Sequence, residues 1–168
     1  SFSPSHLTVT TVYLVEYSDF YQCNTFTDTV TIIVLPQIDP GTIISNQILC
    51  YDSLASDLLV DVPATGGNGS FNYQWYSNSA GSWSTIQGAN STTYSPGYMN
   101  TSTSYTLEVV SDHDINCISK NTDTIDIHVY DSLDPGSISS DQTICYNTTP
   151  ASISFNSSPQ GAEGTYSY

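Results

Sequence analysis

The chain has 168 residues, of which 16 are acidic and one, Lys120, is basic, so its formal net charge at neutral pH is −15. That balance argues against nucleic acid or an anionic membrane surface as a partner. Only 10% of the residues are charged, too few for an acidic disordered tail, and no apolar run approaches the roughly 18 residues of a membrane-crossing helix.

Residues 1–36 read as the closing part of a β-domain. Strands are predicted at 12–17 and 29–35, the second with Val30, Ile32 and Val34 on one face. The loop between them, 20–26, carries Cys23. Pro36 and Pro40-Gly41 break the ladder and mark a junction. Residues 39–51, DPGTIISNQILCY, then return 95 positions later as DPGSISSDQTICY, with eight of thirteen positions identical. This period is too long for a solenoid unit and suits a whole β-domain of roughly 100 residues. The expected organisation is the end of one unit (1–36), a complete unit (37–131) and the start of a third (132–168), cut from a longer array. Gly161, Gly164 and Tyr168 keep the same offset from Gly66, Gly69 and Tyr73.

Seven strands are predicted in the complete unit: 42–49, 58–62, 71–76, 82–86, 92–94, 104–110 and 124–130. Phe71, Tyr73 and Trp75 share one face of the third, and Tyr105, Leu107 and Val109 one face of the sixth. Ile125, Ile127 and Val129 point inward from the last. Seven short strands with a Trp on the third fit an all-β, immunoglobulin-like sandwich. Trp75 then packs between the sheets, and Tyr105 is placed to make a tyrosine corner, bonding its hydroxyl to nearby backbone.

The runs DPGSISSDQTICY, GGNGSFNYQWY, SWSTIQGANSTTYSPG and TSYTLEVV resemble the immunoglobulin/PKD-like repeats of giant surface adhesins of Bacteroidota, such as the SprB-type gliding-motility adhesins. The resemblance covers essentially the whole chain. It implies tandem sandwich units, export by the type IX secretion route, an extracellular cell-surface location and a role as adhesin stalk or filament. It also implies a glycoprotein, because proteins exported by these bacteria are often O-glycosylated at Asp-Ser/Thr-aliphatic triplets. Those triplets place candidate sugars on Thr29, Ser53, Thr124 and Ser132.

The four cysteines, Cys23, Cys50, Cys117 and Cys145, sit at equivalent points of the repeat. No C-x-x-C occurs, which argues against zinc or thioredoxin-like chemistry and for a disulfide in an oxidising compartment. A Cys50–Cys117 bridge would tie the end of the first strand to the last hairpin and stabilise by roughly 4 kcal/mol in the chain-entropy model. Cys23 and Cys145 would then pair outside the window. In a simple sandwich, however, that hairpin lies at the opposite pole, so a bridge between neighbouring domains, or free thiols, stays open.

Asp112, Asp114 and Asn116 form the D-x-D-x-N start of a calcium loop but lack its glycine and distal Glu. Calcium is the one cofactor with a candidate, and a solvated acidic hairpin is the simpler reading. Asp39, Asp131 and Asp134 at the junctions are a second possible calcium set, against the reading that Asp before Pro-Gly starts a turn. His6, His113 and His128 are scattered and no G-x-S-x-G elbow occurs, so no enzyme is expected. Tyr21, Tyr76, Tyr98 and Tyr130 are candidates for exposed stacking surfaces or for cross-strand packing.

The expected function is a structural stalk segment of a long secreted adhesin. Its partners are neighbouring repeats of the same chain, with identical chains in a fibre as a further option. The alternatives are a glycan- or ligand-binding immunoglobulin-like module, or an extracellular fibre subunit assembling through its sheet edges.

Overall fold

β-Branched and aromatic residues at alternate positions set the architecture, since successive side chains of a strand point to opposite faces. The computed structural model describes residues 2–21, 23–112, 119–162 and 166–167, and every regular element among them is a strand. β1 (Thr11–Ser18) and β2 (Thr25–Ile32) pair as an antiparallel hairpin. The central unit opens with β3 (Thr42–Ile44), β4 (Gln47–Leu49), β5 (Ser53–Leu54), β6 (Leu58–Val62) and β7 (Phe71–Asn78). It continues with β8 (Ser84–Thr85), β9 (Thr93–Tyr94), β10 (Tyr98–Met99), β11 (Thr103–Ser111), β12 (Lys120–Asn121) and β13 (Ile125–Val129). β14 (Ser137–Ile138) and β15 (Phe155–Ser157) pair after it.

One sheet of the central unit runs β4-β13-β11-β7-β8, with β12 also on β11, and the other runs β3-β6-β9. Trp75, Leu107, Val109, Ile125 and Ile127 of the first sheet and Ile43 and Leu58 of the second share one core. This is a β-sandwich. β13 shows the cause plainly: Ile125, Ile127 and Val129 are buried, while Asp126 and His128 alternate outward. Trp75 is fully buried, and its indole Nε1 donates to the Ser91 carbonyl at 2.9 Å, so the polar end of the ring is satisfied.

The strand predicted over 42–49 is two strands on different sheets. β3 pairs antiparallel with β6, and β4 pairs in parallel with β13. The chain crosses between them at Ser45, whose φ of 111° is rare for a residue with a side chain. Two side chains hold the crossing. Asn46 Oδ1 accepts from the Asp126 N–H at 2.7 Å. Gln47 clamps the Ser56 backbone, accepting its N–H at 2.7 Å and donating to its carbonyl at 3.0 Å.

Tyr105 makes a different contact from the corner expected of it. Its hydroxyl donates to Met99 Sδ at 3.6 Å, and its ring lies against Tyr94. Met99 on β10 stands over Tyr105, so the phenol ends inside the core. Burial, then the neighbouring Tyr94, push its pKa up to about 12.

Candidate functional site at the junctions

One local geometry occurs twice in this chain, at its two Asp-Pro-Gly segments. Asp39 Oδ1 accepts from the Gly41 N–H at 3.0 Å, and Asp134 Oδ1 from the Gly136 N–H at 2.8 Å. Both carboxylates thus form the Asp-Pro-Gly turn itself. The Asp39 backbone exchanges two hydrogen bonds with Thr65, at 3.0 and 2.9 Å; Asp134 does the same with Gln160, at 2.8 and 2.9 Å. One step further on, the Gly67 N–H donates to the Pro36 carbonyl at 3.0 Å and the Ala162 N–H to the Asp131 carbonyl at 3.2 Å.

Close backbone approach demands glycine at this point. A Cβ on Gly66 would lie 2.0 Å from the Gln37 carbonyl oxygen, and one on Gly161 1.9 Å from that of Ser132. The Gln47 clamp also returns, with Gln142 accepting from the Ala151 N–H at 2.7 Å and donating to its carbonyl at 3.1 Å. The chain around each Asp-Pro-Gly turn is therefore clasped by backbone hydrogen bonds to the glycine-containing loop that follows it.

Three of the four cysteines lie among the described residues. Cys50 is an exposed free thiol, and Cys117 lies outside the described residues. Cys50 follows β4, which pairs with β13 beside the Thr103 end of β11. The last hairpin leaves from Asp112, beyond the Ser111 end of β11. At about 3.3 Å per residue the nine residues of β11 hold those ends roughly 27 Å apart. The expected Cys50–Cys117 pairing falls on a residue outside the described ones. Cys23 and Cys145 are likewise exposed free thiols, and no disulfide occurs among the described residues.

For calcium, Asp112 Oδ1 accepts from Asn72 Nδ2 at 3.0 Å, while Asp114 and Asn116 lie outside the described residues. Among the described residues no three His, Cys, Asp or Glu side chains gather as a metal set. Of the candidate glycosylation residues, Thr29, Thr124 and Ser132 are exposed, and Ser53 is half-buried on β5. Asp123, ahead of Thr124, accepts from the Ile43 N–H at 3.3 Å and so ties the last strand to the opposite sheet.

The four tyrosines lie apart, Tyr76 on β7, Tyr98 on β10, Tyr21 between β1 and β2, and Tyr130 just after β13. Tyr21 and Tyr98 are exposed, and Tyr21 lies edge-on to Phe20. Tyr130 meets His128 edge to face at 5.2 Å. Tyr76 donates to Glu108 Oε2 at 2.8 Å, and that bond to a carboxylate, with burial, raises its pKa.

Sequence reasoning missed one cluster. Ser102, Ser104, Asp126 and His128 line a pocket of about 250 Å³. Ser102 Oγ stands 3.5 Å from His128 Nδ1, but it accepts the Val129 N–H at 2.9 Å, and Asp126 Oδ1 is taken by Ser104 at 2.6 Å. The hydroxyl is committed to the backbone. No spacing signal reveals this cluster, because it forms only when β11 pairs with β13.

The fold is an all-β sandwich in a strongly acidic chain. Residues 39–131, more than half of the chain, match the family described as a domain of unknown function (DUF8696), and the chain belongs to that family. No curated protein and no solved structure matches it.

Proposed function

We propose that this chain is a structural stalk segment of a long, secreted cell-surface adhesin, without catalysis. The observation that carries the reading is the twofold return of the junction at a 95-residue offset: the Asp turn, the glycine close approach and the Gln clamp. A ligand pocket needs one site, whereas a stalk needs the same joint again and again. A net charge of −15 keeps such stalks from adhering to one another and to anionic cell surfaces. Surface sugars on Thr29, Thr124 or Ser132 would add to that repulsion. Neighbouring units of the same chain are the partners in this reading, and no cofactor is required.

The test is immunogold labelling of intact producing cells with antibody raised against the central unit. The expected result is labelling at a distance from the envelope that brief protease treatment removes. Labelling that appears only after permeabilisation would rule the proposal out.

A further inference from the structure

Asn68-Gly69 is the one Asn-Gly pair in the sequence. It lies in the loop between β6 and β7, directly after the Gly66 and Gly67 contacts of the clasp. An asparagine before glycine is open to attack by the next backbone nitrogen on its side-chain amide, because glycine puts no Cβ beside that nitrogen. The fold leaves the same space open: a Cβ on Gly69 meets nothing within 4 Å.

The surrounding groups favour the attack further. Asn68 Oδ1 accepts two hydrogen bonds, from the Ser70 N–H at 3.0 Å and from Ser111 Oγ at 2.9 Å. Negative charge gathers on this oxygen when a nitrogen adds to Cγ, so the two donors act as an oxyanion hole does. Ser111 is buried and is held in place by the Asn68 N–H, which donates to its Oγ at 3.3 Å. Asn68 itself is exposed, and its Nδ2 donates to none of the described residues, so the leaving group faces water.

We propose that Asn68 is a self-modification site, which deamidates through a cyclic imide in the folded chain. Gly69 N gives its proton to hydroxide and bonds to Cγ, the Cγ–Nδ2 bond breaks, and ammonia leaves. Water then opens the imide at either carbonyl, leaving an aspartyl or an isoaspartyl residue at position 68. The aspartyl form keeps both acceptor contacts, and Glu163, 95 positions further on, already carries a carboxylate at the equivalent point of the sequence. The isoaspartyl form runs the main chain through Cβ and lengthens it by one carbon. That extra carbon falls between the Gly67 N–H, bonded to Pro36, and the Ser70 carbonyl, bonded to the Asp112 N–H. The first clasp therefore loosens with age, whereas the second, with Glu163, has no amide to lose at this point. This goes beyond the stalk reading and does not depend on it.

The test incubates the 168-residue chain in mildly alkaline buffer, native and unfolded in urea, and follows Asn68 by peptide mapping in the mass spectrometer. Enzymatic methylation counts the isoaspartyl product. The expected result is that Asn68 converts before any other asparagine and faster in the native chain than in the unfolded one. Ser111→Ala is expected to slow the native conversion by about two- to tenfold, the worth of one hydrogen bond, and to leave the unfolded rate unchanged. The near-UV circular dichroism of buried Trp75 shows whether that variant keeps its fold, and the comparison of native with unfolded wild-type chain stands without it. Native conversion slower than unfolded, conversion led by another asparagine, or a folded Ser111→Ala chain that converts at the wild-type rate would each overturn the proposal.

Discussion

The hairpin β1–β2 and the hairpin β11–β13 share their register, yet one lies open and the other lines a core. Tyr13 and Tyr105 occupy the same place, but only Tyr105 is roofed by Tyr94 and Met99. The difference teaches that pairing and burial are separate steps. Alternating β-branched and aromatic residues suffice for the ladder, because backbone bonds form within the hairpin. Apolar stabilisation appears only when a second sheet removes that face from water.

The largest break in the comparison comes from emptying the covered face. Leu107→Ala leaves a cavity in a fully buried site and is expected to destabilise by about 2–5 kcal/mol in urea unfolding. Val15→Ala, at the equivalent open position, is expected to stay within about 0.5 kcal/mol. Equal effects would show that the two hairpins are equally covered in solution. Next in size is Gly66→Ala. It meets the Gln37 carbonyl at 2.0 Å and must also hold a φ of +83°, so a loss of roughly 2–3 kcal/mol is expected. Gly69→Ala has a similar φ but nothing within 4 Å, and about 1 kcal/mol is expected from the backbone alone.

Alkaline pH sharpens the contrast of the two tyrosines. The folded pKa of Tyr105 lies above its unfolded value, so the native state holds the proton more tightly. Its contribution is complete below pH 10 and is lost as pH rises from about 10 toward about 12, with a limiting slope of about 1.4 kcal/mol per pH unit. Tyr105→Phe should flatten that decline in urea midpoints measured across this window; an unchanged decline would assign it elsewhere. The smallest effect belongs to the clamp. Gln47→Ala removes two hydrogen bonds to the Ser56 backbone and should cost about 1 kcal/mol of the central unit's stability, whereas Gln142→Ala should leave that transition unmoved.

Much of the sandwich was legible in the sequence, because β7, β11 and β13 state their faces by alternation. The crossing at Ser45 was not. TIISNQIL reads as one strand, since no Gly or Pro marks the turn and the reason for it is a parallel partner, β13, some eighty residues away. Cysteine spacing, for its part, reports equivalence between copies and says nothing of which pole a residue occupies. At the junction, Asp-Pro-Gly announced a turn. The clasp by Thr65 and Gly66 became visible only once the loop after β6 lay beside the incoming chain. The equivalence of Tyr13 with Tyr105 hid because it runs at an offset of 92, not 95, and only the ladder register reveals it.

The parallel pair β4–β13 has a consequence for a chain pulled from its ends. β4 lies near the start of the central unit and β13 at its finish, and the two are joined at Ile127 to Gln47, His128 to Ile48 and Val129 to Leu49, with the Tyr130 N–H donating to the Leu49 carbonyl at 2.9 Å. Tension drawn through the entry and exit of the unit slides these two strands past one another in opposite directions. The bonds between them are then loaded in shear and must give way together, not unzip one at a time. Stretched in tandem, each unit would resist up to a sharp yield force and then release its length at once, a sawtooth that single-molecule pulling reads directly and that a proline at Ile48 would blunt.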